Sequence, residues 1–134
     1  MLFDSGTDFF QRQHSLRPVI VNFDDVKPEL RPENIADLAG LLAAHDAYVL
    51  SLKGKTDVVI GGLSGEQRFF LAFAQRWRKS QSEAALRQKI TTDPHSPGEY
   101  RSDTVRNVEA WYKAYKIAPG DKLYLGPKDR VEIW

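Results

Sequence analysis

The sequence has 134 residues, of which 42% are hydrophobic and 28% are charged, and its formal net charge is +1. This length and composition predict one globular domain with a buried core and exclude a disordered chain. The absence of cysteine excludes a disulfide scaffold, and no apolar run approaches the roughly 18 residues of a membrane span.

Charge is distributed unevenly along the chain. Residues 1–63 contain 6 basic and 9 acidic side chains, whereas residues 64–134 contain 13 and 9. The near-neutral total argues against nucleic acid as a partner. The basic second part would suit a substrate carboxylate, although an unevenly charged, solvated surface explains the same pattern.

The first 32 residues have little regular pattern. Three prolines interrupt them, and only Val19–Phe23 has the short apolar run of a strand. The early Asp4 and the lack of a basic and then apolar stretch predict that no signal peptide is present. We expect residues 1–32 to form either an extended arm or a junction segment of altered sequence. Residues 33–134 are expected to form the folded domain.

Helical patterns dominate the rest of the chain. Apolar residues at helical spacing predict helices over about residues 33–52, 65–79, 82–90 and 108–116. Ser64 and Gln67 have the spacing of a capping box, and Asn107 is expected to cap the last helix. Arg130–Trp134 is expected to form a short strand. The predicted class is mainly α, a small helical domain of three to four helices with a short C-terminal strand.

Two acidic residues, Glu33 and Asp37, lie four positions apart at the start of the first predicted helix. This spacing places both carboxylates on one helix face. There one acid could bind a metal while the other orients a second ligand. Acids in a first helical turn also complement the helix dipole, which explains the pair without a function.

A second group of polar residues lies in a proline-rich loop, where Asp93 precedes His95 by two residues and Arg101 follows. The acid can fix the tautomer of the histidine, and the arginine can offer a forked donor to a substrate carbonyl or carboxylate. A surface loop with a helix-capping aspartate is the alternative.

An aromatic stripe with basic neighbours lies on the second predicted helix. Bases of a nucleic acid could stack on such aromatic rings, but the helical spacing is typical of a hydrophobic core. The aromatic members are Phe69, Phe70, Phe73 and Trp77.

In chain order, these segments resemble the C-terminal catalytic segment of the neprilysin family of zinc metalloendopeptidases. The matching stretches are ENIADLAGL (33–41), GEQRFFLAFAQRW (65–77), TDPHSPGEYR (92–101) and PGDKLYLGPKDRVEIW (119–134). The resemblance covers residues 33–134 and implies part of a gluzincin catalytic domain.

The resemblance also implies catalytic roles for four residues. Glu33 matches the third zinc ligand, and Asp37 matches the acid that holds one of the zinc-binding histidines. His95 matches the donor to the oxyanion of the tetrahedral intermediate, and Asp93 matches the residue that orients it.

Two further residues match substrate-binding positions of the family. Arg101 matches the arginine that grips a substrate backbone carbonyl on the leaving-group side, and Trp77 matches a residue that lines the S1′ pocket. Arg76 stands where a small apolar residue often precedes that tryptophan, so the chain departs from the family at this pocket.

The HExxH motif of the family, which supplies two zinc ligands and the general base, is absent from the sequence. We therefore expect the chain to be the C-terminal part of a peptide-hydrolysing zinc metalloendopeptidase, inactive alone and without tightly bound zinc. Its partners would be a peptide substrate and the missing HExxH part, with no nucleic acid and no membrane segment. The alternative is a stand-alone, non-catalytic peptide-binding module. The lack of the cysteines found in vertebrate members favours a bacterial-type protein. The sequence does not fix the compartment, and without a signal peptide or membrane segment we expect the cytoplasm or periplasm.

Overall fold

The computed structural model describes residues 31–133, and this part of the chain is mainly helical, which confirms the predicted class. Its five α-helices are α1 (Arg31–Ser51), α2 (Gly65–Arg76), α3 (Glu83–Thr92), α4 (Gly98–Ser102) and α5 (Glu109–Tyr115). Two short 3₁₀ helices cover Asp103–Asn107 and Pro127–Asp129. No helix within residues 31–133 has both the length and the apolar character needed to cross a membrane. The expected strand Val19–Phe23 and most of the expected arm lie outside the described residues.

The longest helix, α1, begins at Arg31, two residues before its predicted start. Leu38 and Leu41 are its buried apolar contacts with the rest of the domain. The helix ends where Lys53 and Gly54 adopt positive φ angles of 50° and 76°, because left-handed residues cannot continue a right-handed helix.

Helix α2 begins with the predicted capping box. The Ser64 hydroxyl accepts from the Gln67 backbone N–H at 3.2 Å, and the Gln67 side chain accepts from the Ser64 N–H at 2.9 Å. The Gln67 amide also donates to the Ala114 carbonyl at 3.0 Å, so the same residue joins α2 to α5. The helix ends at Arg76 rather than near residue 79.

Arg68 of α2 holds the loop that follows α1. Its guanidinium donates to the carbonyls of Val58 at 2.6 Å and Leu63 at 2.9 Å, and to the Asp57 carboxylate at 3.0 Å. The Tyr48 hydroxyl donates to the same carboxylate at 3.1 Å. This irregular loop is therefore fixed by side chains from both flanking helices.

The core lies between α1, α2, α5 and the segment around residues 103–108. Phe70 and Trp111 are fully buried in it, and burial of each such side chain contributes about 1.5–3 kcal/mol to the free energy of unfolding. Phe70 of the stripe is thus a core residue and Phe69 and Phe73 pack against the core, as their spacing predicts, whereas Trp77 lies outside this cluster. The buried apolar cluster comprises Leu38, Leu41, Phe70, Ala74, Val105, Val108, Trp111, Tyr112, Tyr115 and Leu123.

Two local predictions near the C-terminus are wrong. Val108 caps α5 without a side-chain hydrogen bond, because the Asn107 side chain is engaged elsewhere and accepts from the Val131 N–H at 2.9 Å. Residues 130–133 form no strand. They are held instead by side-chain contacts such as that of Arg130, whose Nε donates to the Leu125 carbonyl at 3.0 Å.

Candidate functional site

The candidate site forms where the first two turns of α1 meet the loop 93–97 and α4. A buried hydrogen bond joins the two segments, since the Ser96 hydroxyl donates to the Asn34 side-chain oxygen at 3.0 Å across 62 residues of sequence. Both residues are more than nine-tenths buried. Since buried polar groups are costly without a partner, this bond fixes the two segments together.

Asp37 and Arg101 form the closest ion pair of this junction. The arginine Nε and one Nη donate to the two carboxylate oxygens, both at 2.6 Å. The side chains are only 11% and 18% exposed. The hydrogen bonds to Asp37 raise the pKa of Arg101 above its ordinary value, although partial burial opposes this effect. The guanidinium is therefore a fixed positive charge held in one plane.

Trp77 covers this guanidinium from the other side. The central carbon of Arg101 lies 4.0 Å from the centre of the Trp77 ring, a cation–π distance. The Trp77 backbone in turn contacts Gly98, where an added Cβ would lie 2.6 Å from the Trp77 carbonyl oxygen. Only glycine fits there, and the tight contact places α4 and Arg101 against the end of α2.

His95 lies between two carboxylates. Asp93 accepts from the His95 backbone N–H at 2.9 Å and contacts its ring Nδ1 at 2.8 Å. These hydrogen bonds lower the pKa of Asp93 below its ordinary value. Glu33 lies 3.3 Å from the ring Nε2, and both of these side chains are 40% exposed. Each of the two ring nitrogens of His95 therefore faces a carboxylate.

A cavity of about 590 Å³ opens beside Trp77 and Arg101, between the end of α2, α3 and α4. Its wall includes Arg76, which precedes Trp77 in the chain. The charged side chains of the wall are Arg76, Arg78, Lys79, Lys89, Arg101 and Glu99.

The donor set for a metal is incomplete within residues 31–133. No group of three histidine, cysteine or acidic side chains is placed there to hold an ion, whereas catalytic zinc sites use three protein ligands. Glu33, which is 40% exposed, has the chemistry of one such ligand. The described residues therefore fit zinc only as contributors to a larger set.

All six residues singled out in the sequence lie at this one junction. Glu33, Asp93 and His95 form one cluster, and Asp37, Arg101 and Trp77 form the other. The pairing of Asp37 with Arg101 was not expected from the sequence.

The buried pair of Asn34 and Ser96 was not anticipated either. Asn34 lies one helical turn before the buried Leu38. A polar residue on the buried face of a helix requires a partner, and this requirement is the signal that could have identified it.

Comparisons with known proteins show which family the chain resembles. The family model of Peptidase family M13 matches residues 11–131. Neprilysin-3 of Drosophila melanogaster is 35% identical over 108 residues, which cover 76% of this chain and 13% of that protein. The neutral endopeptidase of Lactococcus lactis subsp. lactis (strain IL1403) is 29% identical over 136 residues, covering 95% of this chain and 20% of that protein.

A solved structure resembles the fold closely. The Mycobacterium tuberculosis zinc metalloprotease Zmp1 in its open state superposes with a TM-score of 0.75 and 40% sequence identity, over 96% of this chain and 21% of that one. The family match and this structural similarity thus define a part of a zinc metallopeptidase of the neprilysin type. The chain belongs to Peptidase family M13, and it spans between about an eighth and a fifth of the length of these relatives.

Proposed function

We propose that this chain supplies the substrate-facing part of a zinc metallopeptidase active site, together with the third zinc ligand. The observation that carries the proposal is the junction itself. Residues 33–37 and 93–101 bring an acid, a carboxylate-bound histidine and a fixed arginine together at one junction. An HExxH-bearing part of the same enzyme would complete the site.

Glu33 is the residue proposed to bind the metal. It projects from the first turn of α1 and is 40% exposed, so its carboxylate is accessible to a metal ion from solvent. When bound, zinc supplies Lewis acidity for the scissile carbonyl and for the attacking water. The buried bond between Asn34 and Ser96 holds this turn of α1, and with it Glu33, next to His95.

His95 is proposed to stabilise the oxyanion that develops when the peptide carbonyl is attacked. Asp93 binds both the backbone and the ring of His95, which leaves the half-exposed Nε2 edge directed toward Glu33. A donor fixed before the reaction stabilises developing charge without reorganisation. Asp93 thus acts as a positioning residue.

Arg101 is proposed to bind a backbone carbonyl on the leaving-group side of the substrate. Two of its five N–H groups are used by Asp37, so the remaining donors are available to an acceptor. Asp37 and the Trp77 ring fix the plane of the guanidinium, and Trp77 forms part of the adjoining cavity wall. Asp37 would also hold one of the zinc-binding histidines.

The chain alone is expected to lack peptidase activity and tightly bound zinc. The proposed set contains one ligand, whereas catalytic sites use three, and no general base is assigned among the described residues. A non-catalytic module that binds peptides through Arg101 and the cavity remains the second candidate, and the cavity beside Arg101 favours it.

A hybrid enzyme tests the proposal. Residues 33–134 would replace the matching segment of the Lactococcus lactis neutral endopeptidase, with zinc content and peptide turnover as readouts. We expect one zinc per chain and turnover in the hybrid, both lost in Glu33→Gln. His95→Ala should keep the zinc and lower kcat by about 10²–10³-fold, as loss of an oxyanion donor does.

The matched control is Glu132→Gln, the same chemical change at an exposed acid, and it should leave zinc and turnover unchanged. A hybrid whose zinc content and turnover are indifferent to Glu33→Gln would contradict the proposal.

A further inference from the structure

The cavity beside Arg101 is strongly cationic. Five basic side chains contribute to its wall, whereas Glu99 is the one acidic side chain that the described part of the chain contributes. A cleft lined by one sign of charge focuses its potential and concentrates ligands of the opposite sign. The charge of the cavity wall thus differs strongly from the net charge of the whole sequence, which is only +1.

Internal ion pairs offset only two of these five charges. Arg101 is bound by Asp37, and Lys89 lies 3.6 Å from Asp93. The other three cations flank Trp77 in the sequence, at and just after the end of α2. They form no ion pair with any residue of the 31–133 range. They are Arg76, Arg78 and Lys79.

The volume and wall of the cavity restrict what it can hold. At about 590 Å³, it lies within the usual range for sites that bind small ligands or side chains. Trp77 provides an aromatic surface, and Arg76 lies over the same ring at 5.5 Å. The site therefore combines room for one or two side chains with cations placed around an apolar face.

We infer that this cavity binds an acidic side chain of a peptide, on the leaving-group side of the bond that the enzyme would cleave. The inference deepens the proposed function, on which it rests, by naming a substrate class. Arg101 connects the cavity with the proposed function, because it lines the cavity and also makes the proposed contact with the substrate carbonyl. Arg78 and Lys79 are the specificity-determining residues, and Trp77 orients the bound side chain.

Peptide binding to the 134-residue chain tests the inference. Two fluorescently labelled peptides of identical sequence, except for Glu in one and Gln in the other, are titrated by fluorescence anisotropy at 50 mM salt. We expect the Glu peptide to bind about tenfold more tightly. The preference should shrink at 0.5 M salt, where the screening length falls to about 4 Å. In Arg78→Gln/Lys79→Gln, the two peptides should bind within about twofold of each other.

The control variant is Lys113→Gln/Lys128→Gln. It removes the same charge from two exposed positions away from the cavity, and it should keep the tenfold preference. Since Arg78 and Lys79 are also exposed, their replacement is not expected to disturb folding, which circular dichroism checks.

Three results would overturn the inference. These are equal affinity for the two peptides, no binding of either peptide up to 1 mM, and a single-stranded oligonucleotide that binds at least as tightly as the Glu peptide. None of them decides the proposed function, which depends on zinc and turnover in the hybrid enzyme. Conversely, a hybrid that fails to bind zinc would leave the Glu preference of the isolated chain measurable.

Discussion

Two pairs of charged residues, whose acids lie one helical turn apart on α1, differ in how far they are exposed to solvent. This difference separates a pair that positions its neighbours from a pair that is open to a ligand. Asp37 and Arg101 make two hydrogen bonds at 2.6 Å and are 11% and 18% exposed. Glu33 and His95 are 3.3 Å apart and 40% exposed. The closed pair fixes a charge in place, whereas the open pair leaves its functional atoms accessible. A site needs both, because accessible groups are useful only when their neighbours are rigid.

The strongest test of this comparison removes the acid of the closed pair. Asp37→Ala leaves the guanidinium of Arg101 largely buried without its partner, and breaking such a pair costs about 3 kcal/mol of the free energy of unfolding. Glu33→Ala removes an acid from the open pair and should cost less than about 1 kcal/mol. Urea denaturation of both variants measures the difference, and equal losses would abolish the distinction.

A smaller effect is expected from the contact that supports the closed pair. Gly98→Ala places a methyl group 2.6 Å from the Trp77 carbonyl oxygen, so the backbone must shift, at a cost of about 2 kcal/mol. Gly40→Ala is the control, because its Cβ meets nothing within 4 Å. That change inside α1 should stabilise the chain by about 0.5–1 kcal/mol. If Gly98→Ala proved neutral in thermal unfolding, the tight packing of α4 on α2 would be disproved.

The smallest effect is expected at acid pH and concerns Asp93, which binds His95 of the open pair. Because His95 lowers the pKa of Asp93, this acid contributes stability above its ordinary pKa of about 3.8, and the contribution disappears as pH falls through the lowered folded-state value. In Asp93→Asn, stability should therefore decline less steeply below about pH 4. Unfolding midpoints between pH 2 and 7 measure the slope. Asp46→Asn, at an exposed position of α1, should retain the slope of the parent.

The parts of the fold that depend on residues close together in the sequence could be predicted from it. The capping box of Ser64 and Gln67 is local, and it correctly indicates the start of α2. Helix α4 was not predicted, because five residues after a proline have little helical preference of their own. It is held by the approach of Gly98 to Trp77, a contact between distant segments.

The candidate site divides in the same way. The resemblance identifies its residues one by one, and the structure brings them to one junction. The resemblance did not predict that Asp37 pairs with Arg101. These residues are separated by 64 positions, and no local sequence pattern encodes their contact. The strand expected at Arg130–Trp134 failed for a related reason. Apolar alternation does not reveal whether a neighbouring strand exists to pair with, and here the Val131 N–H binds the Asn107 side chain instead.

The separation of 62 and 64 residues between partners in the site also determines when the site can form during folding. Closing a loop of that length costs chain entropy before any contact compensates for it, so contacts between distant residues form slowly. The individual helices can form much earlier. We therefore expect the junction between these segments to assemble in the last step of folding. The backbone amides of residues 93–101 should also be among the first to exchange with solvent deuterium when the native chain opens locally.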